Sequence, residues 1–194
     1  MVDLSRVIVG FIVINQFVVW FLRVAYIGGK EKNKHQHKKT QGTQGRSTKT
    51  KTPVVGMRSR GGMLVATKMD KVNSANIQTM IDKHADANAT LCTDEATIYK
   101  GIEGYKQLMV NHSAGRYVNG IVHTNGIESV WALLKRGYHG VFHHFSDKHI
   151  GRYVDEFVFR LNDGNVKRST LDRIDSIVFG FSGNRLPYKM LVLM

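Results

Sequence analysis

The stretch that decides the fold is HTNGIESVWALLKR, which runs from His123 to Arg136. Its apolar residues recur three and four positions apart, so it is predicted to form an amphipathic helix that begins near Thr124. In such a helix Glu128 and Lys135, seven residues apart, lie on one face and two turns from each other. A carboxylate can hold a divalent metal ion and a lysine can hold a phosphate group, so the helix is expected to carry half of a phosphoryl-transfer site.

Strand and helix signals alternate on both sides of this helix, which predicts an α/β fold with a mixed sheet. The predicted elements are a hairpin of 54–58 and 63–68, a helix from 73 or 74 to 84, strands at 89–94 and 107–112, a helical or turn segment at 99–105, a helix from 147 to 161 capped by Ser146, and a short helix from 170. A sheet of this kind leaves the carboxyl ends of its strands open for a site.

Composition favours one compact domain that acts on a polyanion. The chain has 194 residues, of which 42% are apolar, and this excludes wholesale disorder. A formal net charge of +13 favours nucleic acid as a partner before an acidic membrane. Cys92 is the single cysteine, which excludes a disulfide framework and favours a reducing compartment. The spacing of four histidines fits no closed zinc site; they are His139, His143, His144 and His149.

Two segments near the N-terminus have unusual compositions. Residues 7–22 are almost entirely apolar and are close to the shortest length that spans a bilayer, but their β-branched residues would equally suit a strand. A membrane anchor, an uncleaved signal and a buried structural segment therefore all stay open. Residues 30–52 are basic with no apolar anchor, so we expect a flexible loop that either contacts DNA phosphates or is a solvated insertion. Its first lysines are Lys30, Lys32, Lys34, Lys38 and Lys39.

Asp94 is the second candidate acid, because it ends a predicted strand at the edge where sites of open α/β sheets collect. It could share metal ions with Glu128 across a cleft, or simply cap the segment that follows it. Glu128 could likewise only stabilise its helix N-terminus, and Asn125 is a competing neutral ligand. Lys135 and Arg136 could clamp a phosphate or complement the last carbonyls of the helix.

Eight ordered motifs carry a family resemblance. They are Tyr26–His35 (YIGGKEKNKH), Pro53–Met57 (PVVGM), Thr93–Glu95 (TDE), Val110–Ser113 (VNHS), His123–Ser129 (HTNGIES), Leu133–Gly137 (LLKRG), Arg152–Phe157 (RYVDEF) and Ser182–Lys189 (SGNRLPYK). Together they resemble the ISXO2-like group of insertion-sequence transposases, from about Tyr26 to the end of the chain.

The resemblance implies an RNase H-like catalytic domain of the DDE transposase superfamily. Such a domain uses Mg²⁺ or Mn²⁺ to nick transposon ends and join them to target DNA. In this chain Asp94 matches the second catalytic acid and Glu128, in a motif that also contains Asn125, matches the third; both would be metal ligands. Lys135 matches the helical lysine of the family, and with Arg136 it is expected to contact DNA. The implied partners are transposon-end DNA, target DNA and a second copy of the chain, in the cytoplasm or with DNA in the nucleoid or nucleus.

The chain departs from the family pattern at its first acid. Where the family carries Asp-Glu-Thr before Tyr-Ile-Gly-Gly, this chain has Arg23, Val24 and Ala25. Arginine would place a permanent positive charge where the metals should bind, so we expect a DDE-type transposase domain with impaired metal binding and impaired catalysis. The expectation is an N-terminally truncated or degenerate copy. The rival hypotheses are a non-catalytic DNA-binding remnant and a basic protein anchored in a membrane through residues 7–22.

The expected organisation follows from these segments. Residues 1–25 form an atypical apolar N-terminal segment, residues 26–166 the RNase H-like catalytic domain with the basic loop at 30–52, and residues 167–194 a helical extension. The expected fold is an α/β, RNase H-like mixed sheet flanked by helices, with a basic disordered insertion.

Overall fold

Strands and helices alternate along the chain as the sequence predicts. A computed structural model describes residues 19–29, 33–40, 47–109, 125–164, 168–183 and 187–189. Its strands are β1 (Val19–Ile27), β2 (Thr52–Ser59), β3 (Leu64–Lys68), β4 (Thr90–Thr93) and β5 (Lys106–Met109). Its α-helices are α1 (Ser74–His84), α2 (Asn125–Gly137), α3 (Ile150–Asp163) and α4 (Thr170–Phe181), with a π-helical turn at Tyr138–Phe142 and 3-10 helices at Gln36–Lys38 and Thr97–Tyr99.

The five described strands form one mixed sheet in the order β3-β2-β1-β4-β5. β1 lies at its centre, antiparallel to β2 and parallel to β4, and β5 continues the parallel part. The parallel neighbours bring the carboxyl ends of β1 and β4 to the same edge. The predicted α/β fold with a mixed sheet is therefore confirmed.

The sheet separates two apolar cores. One core lies between the sheet and helices α2 and α3, and it includes Phe21 and Ala25 of β1. The other lies between the sheet and α1, and it includes Trp20 and Leu22. Since side chains alternate between the two faces of a strand, β1 is buried on both sides and needs apolar residues at almost every position.

β1 crosses the boundary that the sequence places between residues 25 and 26. It begins at Val19, so the last part of the apolar run is buried strand rather than helix. Residues 7–18, which hold the rest of the predicted membrane segment, lie outside the described residues. Within the described ranges no helix is long and apolar enough to cross a bilayer.

The helix predicted from Asp147 starts later than expected. α3 begins at Ile150, and His149, not Ser146, is its N-cap residue, so the predicted Ser146 cap was wrong. The later start is explained by tertiary contacts of Asp147. The carboxylate of Asp147 accepts a hydrogen bond from the Thr52 hydroxyl at 2.5 Å, and the Lys68 ammonium bonds to both its carboxylate and its carbonyl, which holds this turn against the sheet.

Other predicted elements are shorter than expected. β5 ends at Met109, and residues 110–112 of the predicted strand lie outside the described residues. The helical or turn segment predicted at 99–105 consists of the end of a 3-10 helix followed by a turn at 100–101. In the basic loop the described part holds one 3-10 helix. The C-terminal extension contains α4, which Ser169 and Asp172 start with a reciprocal capping box.

A candidate catalytic site that contains an arginine

A close contact between β2 and α2 builds the site. Gly56 pairs with Arg23 across β1 and β2. A Cβ atom added at Gly56 would lie 2.5 Å from Cζ2 of Trp131, a distance that real Cβ atoms do not show. The indole of α2 therefore lies directly on the backbone of β2, and glycine is what permits it. This contact brings α2 over the centre of the sheet.

The N-terminus of α2 is fixed separately. Arg58 of β2 donates a hydrogen bond from Nη1 to the carbonyl oxygen of Gly126 at 3.0 Å. The helix buries Ile127, Val130, Trp131 and Leu134, as its periodicity predicts. Glu128, beside this apolar face, is 39% exposed at its side chain and lies near β1.

Arg23 joins the two candidate acids. Its Nη1 donates a hydrogen bond to Oε1 of Glu128, and its Nε lies 4.0 Å from Oδ2 of Asp94. The side chains of Arg23 and Asp94 are 31% and 26% exposed, so the cluster opens to solvent. Three segments that are distant in sequence thus converge on one guanidinium, which we call the Arg23 cluster.

Asp94 has a second role in the local backbone. Its Oδ1 accepts a hydrogen bond from the backbone N–H of Ala96 at 3.2 Å, and so holds the turn before the 3-10 helix. Ala96, not Asp94, is the N-cap residue of that 3-10 helix, and the helix has no side-chain cap bond. Burial, with the negative charge of Asp94 as the next cause, raises the pKa of Tyr99. A neutral phenol therefore borders the site at physiological pH.

The donor set of the cluster does not fit the two metal ions that the family implies. Two carboxylates and one guanidinium carry a net charge of −1, and each carboxylate already faces the cation. Within the described ranges no three His, Cys, Asp or Glu side chains come together in a way that could hold a metal ion. Two-metal catalysis needs oxygen ligands on both ions, and arginine supplies none.

The other candidate residues lie around this cluster. Asn125 is the exposed first residue of α2, and Glu128 rather than Asn125 contacts Arg23. Lys135 and Arg136 are exposed in the last turn. In the basic loop, Lys34 is half-buried, and the Lys39 ammonium lies 3.3 Å from the Gln36 side-chain oxygen. Lys30, Lys32 and the side chain of Lys38 lie outside what the structure describes.

The histidines and the cysteine add no metal ligands. His139, His143, His144 and His149 form no metal-binding group in the described part of the chain. Cys92 is buried in β4, and burial raises the pKa of its thiol to about 11. It is therefore a neutral core residue at physiological pH.

Sequence reasoning did not single out Gly56 or Arg58, although both are needed to place α2. Gly56 lies in the PVVGM motif, and a glycine inside a strand is a signal for close backbone approach. For Arg58 the sequence offers no comparable signal, because its partner is a main-chain carbonyl 68 residues away.

Comparison with known proteins identifies the family of the chain. Residues 23–162 match the family model of the ISXO2-like transposase domain. The match covers more than half of the chain and begins at Arg23, so this chain belongs to that family. The expected α/β architecture, a mixed sheet flanked by helices, is the one observed.

One solved structure with a similar fold is the crystal structure of the catalytic core domain of BIV integrase. The identity is 10% and the TM-score is 0.48, over 86% of this chain and 99% of that chain. No curated protein matches the chain significantly.

Proposed function

We propose that this chain is a transposase-family protein that binds DNA but does not nick or join it. The observation that carries the proposal is the Arg23 cluster, in which the residue at the first-acid position pairs with both remaining acids. The family acts in DNA transposition, and the net charge of +13 favours retention on a polyanion.

Electrostatics argues against metal-dependent catalysis at this cluster. Exchanging an aspartate for an arginine raises the local charge by two units, and guanidinium does not lose its proton in proteins. A divalent ion 4 Å from it is repelled by about 2 kcal/mol in water and by about 8 kcal/mol at an effective dielectric constant of 20. The cluster is partly exposed, so the repulsion lies between these two figures, and even the smaller one weakens binding about thirtyfold.

The geometry of the Arg23 cluster also disfavours a bound metal ion. The guanidinium donates a hydrogen bond to Oε1 of Glu128, and its Nε lies 4.0 Å from Oδ2 of Asp94, the outer limit of an ion pair. A metal ion bound there would have to displace Arg23 and leave its charge without a counterion. The site is therefore expected to keep its ion pairs and stay without metal.

Two assays on the purified full-length chain test the proposal. A strand-transfer assay with linear DNA and Mg²⁺ or Mn²⁺ should yield no nicked or joined products. Fluorescence anisotropy with labelled duplex DNA should show binding that weakens steeply as salt increases, because Lys and Arg displace counterions from phosphates. Joined products from the wild-type chain would contradict the loss of catalysis. Absence of salt-dependent binding would contradict the DNA-binding role.

A further inference from the structure

Helix α4 presents a stripe of apolar side chains to solvent. Their spacing places them on one side of the helix, and between 42% and 72% of each is exposed; they are Leu171, Ile174, Ile177, Val178 and Phe181. No residue of α4 is buried by the rest of the described chain. Monomeric proteins rarely leave apolar patches larger than a few hundred Å² in contact with water, so we expect this α4 stripe to be covered.

Polar contacts attach α4 to the rest of the domain. Arg168, just before the helix, forms an ion pair with Asp163 at the end of α3. Its Nη2 also donates hydrogen bonds to the Ser176 hydroxyl at 2.7 Å and to the carbonyl oxygen of Asp172 at 3.2 Å. These bonds fix the start of α4 beside the end of α3 and leave the α4 stripe accessible.

The end of the sheet near the start of α4 is also the end where β1 begins. The carbonyl oxygen of Val19 accepts a hydrogen bond at 3.0 Å from the backbone N–H of Arg60, in the turn after β2. Asn162, near the end of α3, bonds the backbone N–H and carbonyl of Leu64, the first residue of β3, at 2.8 Å each. Since β1 and β3 are two strand spacings apart, or about 10 Å, the chain before Val19 leaves the sheet close to α4.

The segment that leads into Val19 has the composition that the α4 stripe requires. Residues 7–18 contain nine apolar residues among twelve and no charged residue. Twelve extended residues span about 40 Å, whereas the twelve residues of α4 rise by about 18 Å. The segment is therefore long enough to reach the whole stripe from the start of β1.

Charge and connectivity favour this segment over an external partner. A second copy would bring another net charge of +13, and association would also cost translational freedom. Helices that lie on membranes carry lysine and arginine on their polar face, whereas α4 carries Asp172, Asp175 and a single basic residue, Arg173. A segment joined directly to β1 has a high effective concentration at the stripe.

We propose that residues 7–18 pack on α4 and cover its apolar stripe within one molecule. The contact ties the N-terminal segment to the C-terminal helix and gives the apolar run a role in the fold of this chain. It does not depend on DNA binding, so the proposal and the proposed function can fail separately.

Thiol reactivity in the full-length chain tests the contact. Ile174→Cys places a thiol in the α4 stripe, and Phe179→Cys places one on another side of the helix as the matched control. The two side chains differ less than twofold in exposure, at 48% and 81%. The thiol of Ile174→Cys should nevertheless react with maleimide about tenfold more slowly, because it reacts only when the segment opens. Cys92 is buried with a neutral thiol, so it stays unmodified while the chain is folded.

Ile12→Asp is the complementary change within the segment. A charge there opposes burial, so it should raise the reaction rate of the Ile174→Cys thiol about tenfold and leave that of Phe179→Cys unchanged. Equal rates for the two cysteine variants in the otherwise unchanged chain would overturn the proposal, and so would protection that Ile12→Asp does not relieve. If Ile12→Asp unfolds the chain, Cys92 reacts as well, and the comparison of the two cysteine variants alone decides.

Two further measurements distinguish other occupants of the stripe. Light scattering should give the mass of a monomer under the conditions in which Ile174→Cys is protected. A dimer mass, with protection that is lost on dilution, would assign the stripe to a second copy and overturn the proposal. Flotation of the protein with vesicles of neutral and acidic phospholipids would assign the apolar segment to a membrane and overturn it as well.

Discussion

A single side chain, Arg23, determines the charge balance of the cluster with Asp94 and Glu128. Removing an acid leaves two carboxylates that could still attract a cation. Arg23 instead supplies the cation from within the chain and joins β1 to both Asp94 and Glu128. Arg23 therefore neutralises part of the negative charge that bound metal ions would otherwise neutralise.

Arg23→Asp is expected to convert the cluster into a metal-dependent one. Three carboxylates would then repel one another, so in EDTA the variant should unfold at a lower temperature than the wild type. Added Mn²⁺ should raise its unfolding temperature, since an ion at 100 times its Kd stabilises the folded state by about 2.7 kcal/mol. Thermal melts with and without Mn²⁺ measure the effect.

Arg23→Asn is the control for that experiment, because it removes the guanidinium without adding a carboxylate. It should respond to Mn²⁺ less than Arg23→Asp does. An Mn²⁺-induced shift in the wild type as large as that of Arg23→Asp would show that the guanidinium does not block metal binding.

At the scale of elements, the contact between β2 and α2 decides where Glu128 lies. Gly56→Ala would force the Trp131 indole away from the strand, because the added Cβ would lie 2.5 Å from the ring. We expect a loss of about 1–3 kcal/mol in the free energy of unfolding, the range typical of overpacked cores. Urea unfolding followed by tryptophan fluorescence measures it.

Gly61→Ala is the matched control for the same substitution. Gly61 lies in the exposed turn between β2 and β3, and an added Cβ would lie 3.7 Å from its nearest neighbour, the Ser59 hydroxyl. Its stability should stay close to that of the wild type. Equal losses at both glycines would contradict the role of the Trp131 contact, because the effect of Gly→Ala on the unfolded chain alone favours folding.

The elements with a strong periodic or turn signal could be predicted from the sequence. α2 follows its apolar repeat, and the Gly61-Gly62 turn marks the hairpin of β2 and β3. β1 could not be assigned uniquely, because a continuous apolar run suits a strand buried on both faces as well as a membrane segment. The Ser146 cap failed because the tertiary bonds of Asp147 determine where α3 begins.

The Arg23 cluster shows how much of the candidate site could be predicted from the sequence. The family resemblance predicted Arg23 at the position of the first acid, and this stays a prediction. That Arg23 pairs with both acids depends on the register of β1 against β4 and on the approach of α2, and neither is encoded locally.

At the scale of the whole molecule, the excess of positive charge is expected to destabilise the folded protein in acid. Between pH 7 and strong acid the 15 Asp and Glu residues lose their charge and no longer offset the 28 Lys and Arg residues. Self-repulsion of the folded state then grows. Specific carboxylate contacts are lost over the same range, and the contact of Asp147 with two neighbouring strands is one of them.

Asp147→Asn is expected to lower stability at neutral pH and to matter less in acid. The hydrogen bond from Thr52 is the main cause that lowers the pKa of Asp147 below 3.8, and Lys68 adds to it. A depressed pKa means that the stabilisation is complete above 3.8 and is lost as pH falls through the folded-state value. Since the side chain is 73% exposed, we expect an effect below about 1 kcal/mol.

Urea unfolding of the wild type and Asp147→Asn between pH 2 and pH 7 measures that difference. Asp70→Asn is the matched control, because Asp70 pairs with the same Lys68 ammonium at 3.3 Å, whereas the Thr52 hydroxyl donates its hydrogen bond to Asp147. Since the Thr52 bond is the main cause of the shift, Asp70→Asn should change stability less. A difference between wild type and Asp147→Asn that persists unchanged at pH 2 would mean that the asparagine disturbs packing, and that the charge of Asp147 does not hold the turn before α3 against β2 and β3.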